Sequence, residues 1–328
     1  MPSQPHVPRP ELEFAAPAGH VLECLVFLPD GTALVGIGLD RKSREGVIDF
    51  WAVPSGKHLR TLTEPAQVAA AAFVPDGKRL VTAGWDKKLR TYTAPDWELE
   101  HTFDHDPPTQ AANYITMLPD GKRFLSGNVG FRGPRLWDLN RRTATPLDGP
   151  RAAVSGLAAA PDGKRFIVAY GGPVAEVWDA ERLQVVGRLE LEKGADQQGV
   201  FASVAYSPDG RTLATGYLFK KDHPVAIWDA TTFKKLRDCS GLRYVAEAVA
   251  FSKDGKYVVG CSGPDDGRPA DILTWDVETG KSVGHLKVGK HGGMAMAMSA
   301  DGRWLAHVEY DGTVRVWDFA KLRQGFVM

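Results

Sequence analysis

The run Val204-Ala205-Tyr206-Ser207-Pro208-Asp209-Gly210-Arg211-Thr212-Leu213-Ala214-Thr215-Gly216 is followed, after a loop, by Val225-Ala226-Ile227-Trp228-Asp229. Apolar residues alternate on both sides of Ser-Pro-Asp-Gly, which is the pattern of two half-buried strands joined by a turn. Proline presets φ for the first central position of that turn, aspartate tolerates the second, and glycine supplies the left-handed residue. The third run, closed by Trp-Asp, has the length and β-branched content of another strand.

The same grammar recurs along the chain. Leu28-Pro29-Asp30-Gly31, Val74-Pro75-Asp76-Gly77, Leu118-Pro119-Asp120-Gly121, Ala160-Pro161-Asp162-Gly163, Ser207-Pro208-Asp209-Gly210, Ser252-Lys253-Asp254-Gly255 and Ser299-Ala300-Asp301-Gly302 make seven turns. Their glycines are spaced by 46, 44, 42, 47, 45 and 47 residues, a period that fits a four-stranded unit rather than a helical repeat. Five units end their third strand in Trp-Asp, at Trp137, Trp178, Trp228, Trp275 and Trp317, and the first two carry Trp51-Ala52 and Tyr92-Thr93. A weaker fourth strand follows, as in Leu59-Arg60-Thr61-Leu62 and Val283-Gly284-His285-Leu286.

With Gly19-His20 in the first unit, the seven turns and the five Trp-Asp pairs, the chain resembles the WD40-repeat family over nearly its whole length, and the many Pro-Asp-Gly turns are similar to those of bacterial members. The resemblance implies an all-β, seven-bladed β-propeller of four-stranded antiparallel blades. Ten residues remain after Asp318, so the last unit lacks a fourth strand, and Glu11-Leu12-Glu13-Phe14 is expected to complete it and join the chain's ends. The expected organisation is an extended or disordered segment at 1–10, one propeller domain at 11–320, and a tail at 321–328. The family's His, Ser/Thr, Asp and Trp tetrad carries over only in part. The first unit has His20 and Trp51. The second has Thr82, Asp86 and Tyr92 without a histidine. The last has Asp311 and Trp317, with His307 in the Ser/Thr place and His291 near the Gly-His position. The Trp-Asp pairs read as structural.

Composition narrows the function. Lys plus Arg and Asp plus Glu are both 40, giving formal net charge zero, which argues against a broad nucleic-acid or anionic-membrane surface. The N-terminus has no apolar core of a signal peptide, and no apolar run approaches the roughly 20 residues of a membrane span. The expectation is a cytoplasmic, monomeric ring. Cys24, Cys239 and Cys261 have neither metal-ligand nor disulfide-framework spacing and read as free thiols. Cys24 and Cys261 are expected inside strands, and Cys239 in a loop and exposed.

Patterns for a nucleophile elbow, His-Glu-x-x-His, phosphate-binding or dinucleotide glycine loops and EF-hands are absent from the sequence. His223 and His285 are single histidines, which are more often solvated or packed than catalytic. The first strands, expected to line the central channel, read Ala69-Ala70-Ala71-Ala72, Ala158-Ala159-Ala160 and Ala295-Met296-Ala297-Met298, small and apolar. These observations point to no enzyme, no cofactor and no metal. A propeller hydrolase or lactonase working at the channel mouth is the alternative.

In the family, the loops from second to third and from fourth to first strands share one face, and long variable loops are where function concentrates. The expected partner site is therefore Arg41, Lys42 and Arg44 of the first unit, Trp85, Lys87 and Lys88 of the second, Arg132 of the third, Lys220, Lys221 and His223 of the fifth, Asp265, Asp266 and Arg268 of the sixth, and Tyr310 of the last. The first two units form a basic crescent around one aromatic. The expected partner is a peptide or protein segment.

Overall fold

The computed structural model describes residues 8–104, 111–130, 133–191, 199–218, 224–242, 245–262, 269–289 and 293–325. Their strands form seven four-stranded antiparallel sheets. Blades 1 to 6 occupy residues 20–64, 68–104, 112–146, 154–190, 200–239 and 248–288, each in simple up-and-down order. Blade 7 takes three strands from residues 293–318 and its outermost one from the N-terminal strand Leu12–Ala15. That strand pairs Leu12 with Val316 and Phe14 with Val314. Glu13 pairs with Arg315 at 2.8 Å and Glu11 with Lys321 at 2.9 Å. The first strands of successive blades touch one another around the ring, so they line its centre and the fourth strands form its rim.

Each hairpin is set locally. The seven turn glycines have φ between 66° and 73°, the left-handed region that glycine enters without a Cβ penalty. The turn aspartate accepts the N–H two residues on, as Asp76 does from Lys78 at 2.9 Å. In blades 5 to 7 a serine opens the turn: Ser207 Oγ donates to Asp209 at 2.6 Å and accepts the Thr212 N–H at 3.0 Å. In blades 3 to 6 the Asp of the Trp-Asp pair holds the turn from third to fourth strand. Asp229 accepts the N–H groups of Thr232 at 2.6 Å and Thr231 at 2.9 Å, and these bonds hold its carboxyl below the usual carboxylate range.

The core sits between blades rather than within them. Ile167, Val177 and Leu189 of blade 4 pack on Phe201, Leu213, Tyr217 and Trp228 of blade 5. All seven seams are filled this way, the one between blades 7 and 1 included. The aromatic at the Trp-Asp position of each third strand fills the seam toward the preceding blade, and none of these seven is more than 5% exposed. Cys239 departs from expectation. It ends the fourth strand Lys235–Cys239 and is fully buried in the seam between blades 5 and 6, because that strand, too weak to read from sequence, turns the residue inward. The C-terminal stretch also forms a short helix, Phe319–Gly325, whose Phe319 and Leu322 pack under blades 6 and 7.

Candidate functional site

Antiparallel order puts the connections from second to third strands on one face and the Asp-Gly turns on the other. On the first face, Asp40 organises the loop of blade 1. It accepts the Lys42 N–H at 2.9 Å and the Ser43 N–H at 3.3 Å, and the Arg41 N–H reaches Gly19 O at 2.9 Å. The Lys42 N–H and the Ser43 hydroxyl hold the Asp40 carboxyl low. Held by its backbone, the loop turns Arg41, Lys42 and Arg44 fully outward. In blade 2 the Trp85 N–H donates to Gln67 O at 2.8 Å, leaving the indole 55% exposed. Asp86 is taken by Arg90, and Lys88 by Asp104. Lys87 makes no ion pair among the described residues and stands half-exposed beside the tryptophan.

Tyr310, 47% exposed, lies on blade 7, next to blade 1 around the ring. The structure thus carries Tyr310, Arg41, Lys42, Arg44, Trp85, Lys87 and Lys88 on three consecutive blades of one face. Arg132, Lys220, Lys221, His223, Asp265, Asp266 and Arg268 lie outside the described residues, as does His291. Val129 of blade 3, 57% exposed at the equivalent loop, extends the apolar part and had no sequence signal beyond its position.

Behind the face, the missing tetrad members are replaced. For blade 2, Glu64 at the end of blade 1's fourth strand does the histidine's work. It accepts from Thr82 Oγ1 at 2.6 Å, from Tyr92 Oη at 3.0 Å and from Arg90 at 2.8 Å. In blade 1, Asp49 accepts from His20 at 2.7 Å, His58 at 3.2 Å and Thr61 Oγ1 at 2.5 Å. In blade 5, Trp228 Nε1 donates to Thr215 at 2.9 Å, and blade 3 repeats this with Trp137 and Ser126 at 2.8 Å. These buried groups are partnered within their blades or, for Glu64, across the seam from blade 1 to blade 2, as in a satisfied polar network. His285 is likewise bound to Asp271 at 2.7 Å.

The central channel is more polar than its alanine runs promise. Glu23, on the first strand of blade 1, accepts from Gln67 at 2.5 Å, and burial raises its pKa. Burial also raises that of Glu247, at the entrance to blade 6. Burial, and then the Glu247 charge, raises the phenol of Tyr114 on blade 3. Blades 3 and 6 lie across the ring from each other, which puts both groups in the channel. Glu23, Tyr114 and Glu247 belong to blades 1, 3 and 6, whereas the small apolar runs at 69–72, 158–160 and 295–298 belong to blades 2, 4 and 7. Among the described residues no three His, Cys, Asp or Glu side chains are placed to hold a metal ion, and no helix is long and apolar enough to cross a membrane.

Comparison with known proteins agrees with the architecture. Residues 56–93 and 280–318 match the WD40 family model, described as WD domain, G-beta repeat. Each match begins around the fourth strand of one blade and runs through the first three of the next, so the sequence repeat itself straddles a seam. The chain is 27% identical over 160 residues, 47% of its length, to "Transcription factor unc-37" of Caenorhabditis elegans, covering 25% of that protein. It is 25% identical over 173 residues, 53% of its length, to "Transcription initiation factor TFIID subunit 5" of the same organism, covering 24% of it. The matches therefore span about a quarter of the length of these curated relatives.

Proposed function

The chain is a seven-bladed β-propeller carrying WD40 repeats, and from that premise we propose that it is a non-enzymatic scaffold that docks a peptide or protein segment on the face bearing Arg41, Trp85 and Tyr310. The observation that carries this reading is the combination of an exposed indole and phenol with cations left unpaired on rigid loops. Aromatic and arginine side chains are the types that dominate interface energies, and loops pinned by backbone bonds lose little entropy on binding. One relative is named as a subunit of an initiation factor, and a place in an assembly suits a ring that presents exposed aromatics and cations on one face. A cytoplasmic location belongs to the same proposal.

The test is affinity capture from lysate, comparing wild type with the triple variant Arg41→Glu/Trp85→Ala/Lys87→Glu after both show the same melting temperature. A partner retained by wild type and lost by the variant is the expected outcome. Equal capture by both proteins overturns this face as the site.

A further inference from the structure

A second site lies on the opposite face, at the seam between blades 2 and 3. The residue three positions after the turn aspartate is arginine in three consecutive blades: Arg79, Arg123 and Arg165. In two of them the guanidinium crosses the seam and caps the carbonyl just beyond the next blade's Trp-Asp pair. Arg123 Nη1 donates to Ala180 O at 2.7 Å, and Arg165 Nη1 to Ala230 O at 2.8 Å. The corresponding position across from Arg79 is Leu139, a larger residue than the two alanines. There Arg79 makes no such bond, and no ion pair among the described residues.

Between them the seam opens into a cavity of about 200 Å³. Arg79, Thr91 and His101 line it from blade 2, and Asn140 and Arg142 from the turn of blade 3, with Phe103 and Leu139 as its apolar side and Glu100 at its edge. The backbone aims these groups. Asp138 accepts the N–H groups of Asn140 and Arg141, at 2.9 and 2.8 Å, and Arg142 takes φ 58°. His101 is fixed edge-on to Phe103, ring centroids 4.5 Å apart. The side chains of Arg79, Thr91, His101, Asn140 and Arg142 form no hydrogen bond with one another or with any other described residue.

Another cavity shows the contrast. At the seam between blades 6 and 7, about 280 Å³ is lined by Asp254, Lys253 and Arg323. There the arginine lies 4.3 Å over the Tyr257 ring, which holds the position equivalent to Arg79. That cation is already engaged by the ring. At Arg79 the donors have nothing to bind.

We propose that the Arg79–Arg142 cavity binds a phosphomonoester group. Two guanidiniums reach it from two blades, with an amide, a hydroxyl and an imidazole between them. A carboxylate is planar and is satisfied by one guanidinium fork, whereas a phosphate offers three terminal oxygens to donors on several sides. The volume exceeds that of a bare phosphate, so the carbon-bearing part of the ligand lies against Phe103 and Leu139. Glu100 at the edge accepts from a hydroxyl or N–H of the same molecule and disfavours a bare anion. The group can come from a phosphorylated side chain of a partner or from a small organic phosphate. The site shares no residue with the face that carries the proposed scaffold role, so either can fail alone.

The experiment titrates the full chain, at constant ionic strength, with inorganic phosphate, glycerol phosphate and a phosphoserine peptide. It reads binding by calorimetry and the His101 imidazole resonances by NMR. Saturable binding that shifts His101 is expected, weakened at least about tenfold in Arg79→Gln and in Arg142→Gln and unchanged in Arg123→Gln. The tightest binder among the three probes identifies the source of the phosphate group. All three variants are first matched for melting temperature, and a less stable one is measured at lower temperature. Binding unaffected by Arg79→Gln and Arg142→Gln, or no saturable binding of any probe, overturns the site.

Discussion

At the scale of single residues, His307 is the most exposed to test by pH. It stands in the Ser/Thr place of blade 7, fully buried, and neither ring nitrogen has a hydrogen-bond partner among the described residues. Burial, and then the neighbouring Arg315, lower its pKa to about 3. The unfolded chain takes up a proton near the ordinary histidine value of about 6.5, and the folded chain refuses it until about pH 3. Stability is therefore unaffected above that ordinary value and falls as pH drops below it, with a limiting slope of about 1.4 kcal/mol per pH unit for one proton. Unfolding followed in urea from neutral to mildly acidic pH should show this slope in wild type and lose it in His307→Thr. An unchanged slope in the variant would assign the acid sensitivity elsewhere. Serine or threonine at the same place in blades 3 and 5 receives the tryptophan N–H, so the variant restores a partner for Trp317 Nε1, which has none among the described residues.

At the scale of strands and turns, most of the fold was legible because its signals are local. A proline, an aspartate and a positive-φ glycine at fixed offsets specify each hairpin without help from the rest of the chain. The N-terminal strand was legible by subtraction, since the last unit lacked a partner. What escaped was decided across seams. Glu64 stands two residues before the place of the missing histidine, and only folding brings it to Thr82, Arg90 and Tyr92. Cys239 looked like a loop residue because Lys235–Cys239 has little alternation, yet its neighbours in blade 6 bury it. The cavity at Arg79 was invisible for the same reason, because it depends on Leu139 of another blade. The N-terminal strand invites a graded test. Its Phe14 lies 5.3 Å from the Trp51 ring in the seam between blades 7 and 1, while the Glu13–Arg315 pair is half-exposed and counts for little. Phe14→Ala should cost about 1–2 kcal/mol, since the ring is only partly buried. Deleting residues 1–16 should cost more, because it also bares the edge of Thr313–Asp318. Thermal melts of the two variants should fall in that order, and a deletion that melts like wild type would mean that blade 7 closes without this strand.

For the whole molecule, the placement of the core decides how it unfolds. An open array of repeats gains one interface per added unit and can fray from its ends. Here seven apolar clusters fill seven seams, and the seam between blades 7 and 1 joins residues such as Leu22, Trp51, Trp304 and Val314 from opposite ends of the chain. No blade can leave without baring apolar faces on both neighbours, so there is no cheap terminal unit to lose first. The ring is expected to unfold as one cooperative transition despite a length at which larger proteins often populate intermediates. Calorimetry should give a van't Hoff enthalpy close to the calorimetric one. A seam variant such as Trp228→Ala, which removes an aromatic shared by blades 4 and 5, should move the whole transition by roughly 3–5 kcal/mol rather than split it. Opening the ring by deletion of residues 1–16 should do the opposite and lower the enthalpy ratio, because blade 7 then becomes an end that can fray. Two resolved transitions in wild type would show that the seams are not equivalent and that part of the ring stands without the rest.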